Sequence, residues 1–245
     1  MNSLDVQAVE VLLCDADGNL FPSEEPAFEA SADVTNRLLQ SLGHERRFTP
    51  EELRRATTGK NFRSTATELT RALGVAPADL ELWVEEEKRR VTAHLAEALR
   101  PDDAVTEPLR ALGERYRLAA VSSSAMLRLD ACFEATGLAA LFPPDMRFSA
   151  EDSLAVPTGK PDPAIYAHAG AVLGISGSQG LAVEDAVPGV RSAVAAGLPV
   201  LGNVAFVPPE ERSARARELR QAGAVDVIGG WRDLEALLCL QPEAC

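Results

Sequence analysis

The chain predicts an α/β protein, a parallel sheet core into which a block of helices is inserted. Three observations carry this. Short, partly β-branched apolar runs recur along the sequence and end at Asp, Glu, Ser or Gly, as buried parallel strands do. Segments of helical composition separate the later runs, the alternation of a parallel sheet. The interval between the first two runs, about residues 21–100, contains no strand pattern at all.

The first strand is predicted at 9–14, where Val-Glu-Val-Leu-Leu-Cys meets Asp-Gly punctuation, and the second at 118–121. Others follow at 181–183, 199–201 and 225–228. Within the long interval, helices are predicted over 27–42, ending at Gly43, over 50–56, and over 63–73, ending at Gly74. Pro77 opens a fourth that reaches Leu99, with Leu80, Trp83, Val84, Val91, Leu95 and Leu99 as its apolar stripe, and Pro101 closes it. Residues 1–20 and 100–245 therefore form the α/β core domain. Residues 21–99 form a helical cap domain, expected over the carboxyl ends of the strands, where open α/β sheets bind ligands. The charged helix at 212–220 reads as a solvated face.

With 46% hydrophobic and 25% charged residues the 245-residue chain is globular in composition. Its formal net charge of −13 repels nucleic acid and anionic membranes at long range. The first ten residues lack the basic and apolar regions of a secretory signal, and no apolar run reaches membrane length. Scattered Cys14, Cys132, Cys239 and Cys245 suit reduced thiols, so a cytoplasmic location is expected. Only three histidines are present and no Cys/His cluster, so any metal is expected to be oxygen-ligated. No pattern in the chain fixes an oligomeric state.

Four features lie after predicted strands or in a loop. Asp15-Ala16-Asp17-Gly18-Asn19-Leu20 places two carboxylates around one residue before a glycine, which also fits an ordinary turn. Ser122, followed by Ser123 and Ser124, stands where a serine would cap the helix from Ala125, or would hold an anion with nearby N–H groups. Lys160 sits between Gly159 and Pro161, and a loop lysine is ordinarily solvated, but flanking prolines lower the entropy needed to hold it. Glu184-Asp185 ends an apolar strand and reads either as an acidic site or as a helix cap.

The combination is more specific than its members. A carboxylate approaching a phosphate meets a repulsion of about 4 kcal/mol per unit pair at roughly 4 Å and an effective dielectric of about 20. A hard divalent cation on carboxylates, an ammonium, and hydroxyl or amide donors reverse that sign. Asp15, Asp17, Asp185, Lys160 and Ser122 can supply such a set.

At this point the sequence resembles the haloacid dehalogenase superfamily of phosphatases, near its β-phosphoglucomutase and phosphoglycolate phosphatase group. The family's Asp-x-Asp-Gly-Thr-Leu appears as Asp15 to Leu20, its post-strand serine as Ser122, its lysine motif at Lys160, and its acidic motif as Glu184-Asp185 with Gly189. The resemblance implies a Rossmann-like core with a small helical cap, and a Mg²⁺-dependent hydrolase of small phosphate monoesters. It implies that Asp15 is the nucleophile and a metal ligand. Asp17 would be the acid and base and offer its backbone carbonyl to the metal, Asp185 would complete the protein ligands, and Glu184 would support the metal through water. Lys160 would neutralise Asp15 and the phosphate, and Ser122 and Ser123 would contact the phosphoryl group. Asn19 replaces the family's threonine and Pro22 stands where an acidic residue is frequent; the first is expected to leave activity intact, with substrate orientation open to change.

In the cap, Thr58-Gly59-Lys60-Asn61-Phe62-Arg63 resembles the family's specificity loop, which makes Lys60 and Arg63 candidate substrate contacts against the alternative of plain surface charges. Sugar or polyol phosphates are the expected substrate class. A phosphosugar mutase shares all four motifs and is the first rival. A dehalogenase proper is disfavoured because carbon–halogen cleavage has no use for the acid Asp17, and a receiver-like switch is disfavoured by the insertion after the first strand.

Overall fold

A computed structural model describes residues 4–57, 61–75 and 79–239. The chain divides into two compact units, the helical Ser23–Leu99 and an α/β unit made from the segments on either side of it.

The α/β unit opens with strand β1 (Val11–Cys14), all four residues of which are buried. After the helical unit come α5 (Asp103–Gly113), β2 (Arg117–Ser122), α6 (Met126–Thr136), β3 (Arg147–Ser149), α7 (Ala164–Leu173), β4 (Gly180–Glu184), α8 (Val187–Ala195), β5 (Val200–Asn203), α9 (Arg212–Ala222), β6 (Asp226–Ile228) and α10 (Trp231–Cys239). The strands form one sheet in the order β3-β2-β1-β4-β5-β6, every pair parallel. Strand β1 lies between β2 and β4, in the register Cys14 opposite Ala120 on one side and Val183 on the other. The chain runs outward from β1 through β2 to β3 and then crosses back to β4 on the other side of β1, so the crevice at the carboxyl ends of β1 and β4 is a topological switch point, the place where such sheets hold ligands.

Burial of the central strands on both faces explains why they are apolar throughout. Val11, Leu13, Ala119, Val121, Ala182 and Val200 join one core with Ile165, Tyr166 and Ala169 of α7 and Val190 and Ala193 of α8. Strand β3 was not predicted. Its flanking polar residues are buried because they are bonded: Arg147 donates to the Phe142 carbonyl at 2.7 Å and pairs with Asp130 at 2.5 Å, while Ser149 Oγ donates to the Ser124 carbonyl at 2.8 Å. The charged α9 is only partly a solvated face. Arg212 donates to the carbonyls of Val207 and Ala205, and Arg215 to that of Asp185, so two of its arginines fasten loops at the sheet edge.

The helical unit contains α1 (Glu24–Ser41), α2 (Pro50–Thr57), α3 (Phe62–Ala72) and α4 (Leu80–Ala98). Val34, Leu38, Phe62, Ala66 and Val84 form one cluster, and Ala32, Leu39, Phe48 and Leu53 another. A capping box opens α2: Thr49 N–H donates to Glu52, whose own N–H donates to Thr49 Oγ1. Asn61 caps α3 by accepting from Ser64 N–H at 2.9 Å. The predicted start of α4 at Pro77 lies outside the described residues, as does Lys60. No helix among the described residues is long and apolar enough to cross a membrane.

Candidate active site

Each chemical group leaves the sheet at the same edge. Asp15 follows β1, and its N–H donates to the Val183 carbonyl at 2.9 Å, which continues the ladder one step into the loop. The turn then reverses at Gly18, whose φ of 75° lies in the left-handed region. A β-carbon at Gly18 would also stand 2.5 Å from Asp185 Oδ2, so glycine is what lets the loops after β1 and β4 approach.

Asn19 locks this turn from beneath. Fully buried, it donates to the carbonyls of Asp15 at 2.9 Å and Val183 at 3.0 Å, and its Oδ1 accepts from Asn203 Nδ2 at 2.8 Å. Trp231 Nε1 donates to its backbone carbonyl at 3.0 Å. Both ends of the amide are satisfied inside the protein, so Asn19 supports the loop and does not face a substrate. Pro22 is exposed at the end of the segment.

Lys160 Nζ reaches the Asp15 carboxylate, Glu184 Oε1 at 2.7 Å and the Val121 carbonyl at 2.8 Å. It is thus a buried ammonium with all three protons assigned, not a solvated loop lysine. Ser123 Oγ accepts the Lys160 backbone N–H at 3.2 Å and so braces the lysine loop. Glu184 Oε1 also accepts from the Tyr166 hydroxyl at 2.5 Å, and the Lys160 ammonium lies 5.0 Å from the Tyr166 ring centre.

Two expected alternatives fail. Ser122 does not cap a helix: α6 starts four residues later, and its first N–H, on Met126, donates to Asp152 at 2.6 Å. Ser122 stays in β2, with its Oγ accepting from Ser124 N–H at 3.0 Å and lying 3.5 Å from Asp17 Oδ2. Nor does the acidic pair cap α8, where Ala186 takes the N-cap position without a side-chain bond.

Asp17 is held by residues that the sequence did not single out. Ser124 Oγ donates to its Oδ2 at 2.7 Å, and Arg128 Nη2 to its Oδ1 at 2.8 Å. In the helical unit, Arg63 forms a two-point ion pair with Glu81.

Electrostatically the site has an excess of negative charge. Burial, reinforced by Glu184 and Asp185 and opposed by Lys160, pushes Asp15 well above the usual carboxylate range. Burial and the Glu184 charge push Asp185 up to about 8. Burial works against the Lys160 ammonium, yet Asp15 and Glu184 together outweigh it and raise that group instead. Donor oxygens of Asp15, Glu184 and Asp185 lie within 4.8 Å of one another. An all-oxygen donor set with surplus charge suits a hard divalent cation, which would relieve the repulsion between Asp15 and Asp185. Glu184 differs from the other two, since Oε1 is occupied by Lys160 and Tyr166.

The profile of the haloacid dehalogenase-like hydrolases matches residues 9–197, from the first strand through the acidic motif. The chain belongs to that family. Among solved structures, this hydrolase is similar to a haloacid dehalogenase family hydrolase from Deinococcus radiodurans with bound phosphate and sodium, at 27% identity over 95% of this chain and 96% of that one, with a TM-score of 0.68. A conserved haloacid dehalogenase-like protein of unknown function from Agrobacterium tumefaciens shares 26% identity over 95% and 98% of the two chains, with a TM-score of 0.71. A putative β-phosphoglucomutase from Thermotoga maritima shares its fold, at 24% identity over 96% and 100% and a TM-score of 0.71. No curated protein sequence matches it.

Proposed function

We propose that this hydrolase is a Mg²⁺-dependent phosphatase of small phosphate monoesters, sugar or polyol phosphates above all, acting through a phosphorylated Asp15. The observation that carries the reading is the Lys160 ammonium joined to Asp15 at the switch point, with Asp185 converging on the same spot. Phosphate bound to the Deinococcus relative supports the same ligand class.

In this reading an Asp15 oxygen attacks phosphorus in line, the phosphorus–oxygen ester bond breaks, and Asp17 gives its proton to the departing alkoxide. Asp17, now a base, takes a proton from the water that attacks the phosphorylated Asp15 and releases inorganic phosphate. Lys160 neutralises charge on Asp15 and the phosphoryl oxygens, and Ser122 and Ser123 donate to the latter. Asp15, Asp185 and the Asp17 backbone carbonyl would hold Mg²⁺, with Glu184 as outer support; when bound, the ion supplies charge stabilisation to the transferring group. The helical unit acts as the cap that selects the leaving group, with Lys60 and Arg63 as candidate contacts. The partner is a small phosphorylated metabolite.

The test is phosphate release from a panel of sugar, polyol and short-acid phosphates, with and without Mg²⁺, in wild type and Asp15→Asn. Mg²⁺-dependent turnover that disappears in the variant is expected. Turnover surviving in Asp15→Asn would remove Asp15 as nucleophile, and isomerisation of a glucose phosphate without phosphate release would replace the phosphatase with a mutase.

A further inference from the structure

We propose that Arg128, together with Ser124, is a positioning residue for the acid–base group Asp17. The inference rests on the phosphatase reading above and extends it to residues outside the family's four motifs.

The geometry is complete on both sides of the carboxylate. Asp17 Oδ1 accepts from Arg128 Nη2 at 2.8 Å, and Oδ2 accepts from Ser124 Oγ at 2.7 Å. Its backbone is fixed independently, because Asp17 and Phe21 form a parallel bridge and Gly18 N–H donates to the Phe21 carbonyl at 3.0 Å. With the main chain set by the turn, side-chain direction is set by these donors, to which Ser122 Oγ adds a longer bond to Oδ2 at 3.5 Å. Their own supports are rigid. Ser124 gives its carbonyl to Ser149 Oγ, and the helix carrying Arg128 is anchored at its first N–H by Asp152. The Arg128 and Asp17 side chains are 26% and 27% exposed, partly withdrawn from water, which makes the charge-assisted bond stronger than a surface pair.

The helix that carries Arg128 does not favour a cation at that position. Arg128 is the third residue of α6, and a cation in the first turn opposes the helix dipole. The Asp17 carboxylate offsets that cost. A proton donor must also be aimed: transfer to a departing alkoxide needs the carboxyl within hydrogen-bond reach, and misplacement by even one ångström slows it steeply. Ser124 and Arg128 restrict Asp17 to one orientation before substrate arrives. Neither touches phosphorus in this mechanism; both act through Asp17.

Leaving-group dependence tests this, because p-nitrophenolate departs without a proton whereas an alkoxide needs one. kcat/KM is measured for p-nitrophenyl phosphate and for glycerol 3-phosphate and glucose 6-phosphate in wild type, Arg128→Ala, Arg128→Lys, Ser124→Ala and Asp17→Asn. Thermal midpoint and Mg²⁺ affinity serve as controls on folding and metal loading. General acids contribute on the order of 10²–10⁴-fold, so Arg128→Ala is expected to lower the alkyl-to-aryl ratio of kcat/KM by ~10-fold or more. Arg128→Lys is expected to restore part of the ratio, and Arg128→Ala is expected to change it no further in an Asp17→Asn background. Equal losses on alkyl and aryl esters, or a further loss in that background, would overturn the assignment by making Arg128 a phosphate contact or a structural residue. A wild type that cleaves only the aryl ester would also overturn it, since no acid would be at work. A wild type that cleaves none of these esters would instead sink the phosphatase reading itself.

Discussion

A β-carbon at Gly189 would lie 1.8 Å from Oε2 of Glu184, inside the volume that the carboxylate already fills. The first turn of α8 is thus shaped around Glu184, whose other oxygen holds Lys160 and Tyr166. Replacing Gly189 by alanine must displace the carboxylate and break its bond to Lys160. The expected outcome is a loss of about 1–3 kcal/mol from overpacking, read by urea denaturation, with phosphate release falling further than stability alone explains. An unchanged denaturation midpoint in Gly189→Ala would contradict the packing.

Gly18 poses a different constraint, combining positive φ with the proximity of Asp185. Alanine there costs about 1–3 kcal/mol in backbone strain and drives Asp185 away from Asp15. Mg²⁺ affinity, followed by the shift in thermal midpoint with added metal, is expected to weaken at least ~10-fold, or about 1.4 kcal/mol. Tight Mg²⁺ binding by Gly18→Ala would show that Asp185 is not held where the metal needs it.

The raised Asp185 carboxyl predicts a pH dependence of metal-free protein. Asp185 ionises near 8 in the folded state and at the ordinary carboxylate value of 3.8 when unfolded. Between those values the folded protein holds the extra proton, so the Asp185 contribution to stability falls as pH rises through this window and is constant above it. Asp185→Asn is expected to remove that slope and to stabilise metal-free protein at alkaline pH. The proposed Mg²⁺ would bind the ionised form, so its stabilising effect is expected to grow with pH and its binding to release protons, measurable by calorimetry in buffers of different ionisation enthalpy. A pH-independent metal effect would contradict the coupling.

Asn19 and Asn203 form a buried amide pair, and each truncation strands polar groups. Asn19→Ala leaves Asn203 Nδ2 unpaired, and Asn203→Ala leaves Asn19 Oδ1 and Ala205 N–H without their bonds. Each change is expected to cost about 1–3 kcal/mol per stranded group, and the double variant less than the sum, by a coupling of about 0.5–3 kcal/mol. A double-mutant cycle in urea checks this; strict additivity would mean that the pair does not act as a unit.

Much of the sheet is legible because burial on two faces demands apolar runs, as in β1, β2 and β4. Strand β3 escapes that logic, since Arg147 and Ser149 are polar and become buried only through bonds to partners outside the strand, Asp130 and the Phe142 carbonyl for the first and the Ser124 carbonyl for the second. Among the site residues, Asp15, Lys160, Glu184 and Asp185 could be located because each follows a strand or sits in a proline-bounded loop. Their shared hydrogen bonds could not, because sequence separations of 145 and 24 residues between Lys160 and its two acids carry no local signal. Arg128 did leave a trace, a cation in a helix's first turn, but its meaning depends on Asp17 lying 111 residues earlier. Tyr166 reads simply as an apolar position of α7 until its hydroxyl is placed against Glu184.

The bond from Trp231 to the carbonyl of Asn19 joins residues 212 positions apart. In synthesis the segment bearing Asp15 precedes Trp231, so its turn lacks that donor until residue 231 has been made. A nascent or truncated chain ending before Trp231 would carry Asp15, Asp17, Glu184 and Asp185 and still lack the strut beneath the Asp15 turn, which ties the order of that turn to a residue made long after it.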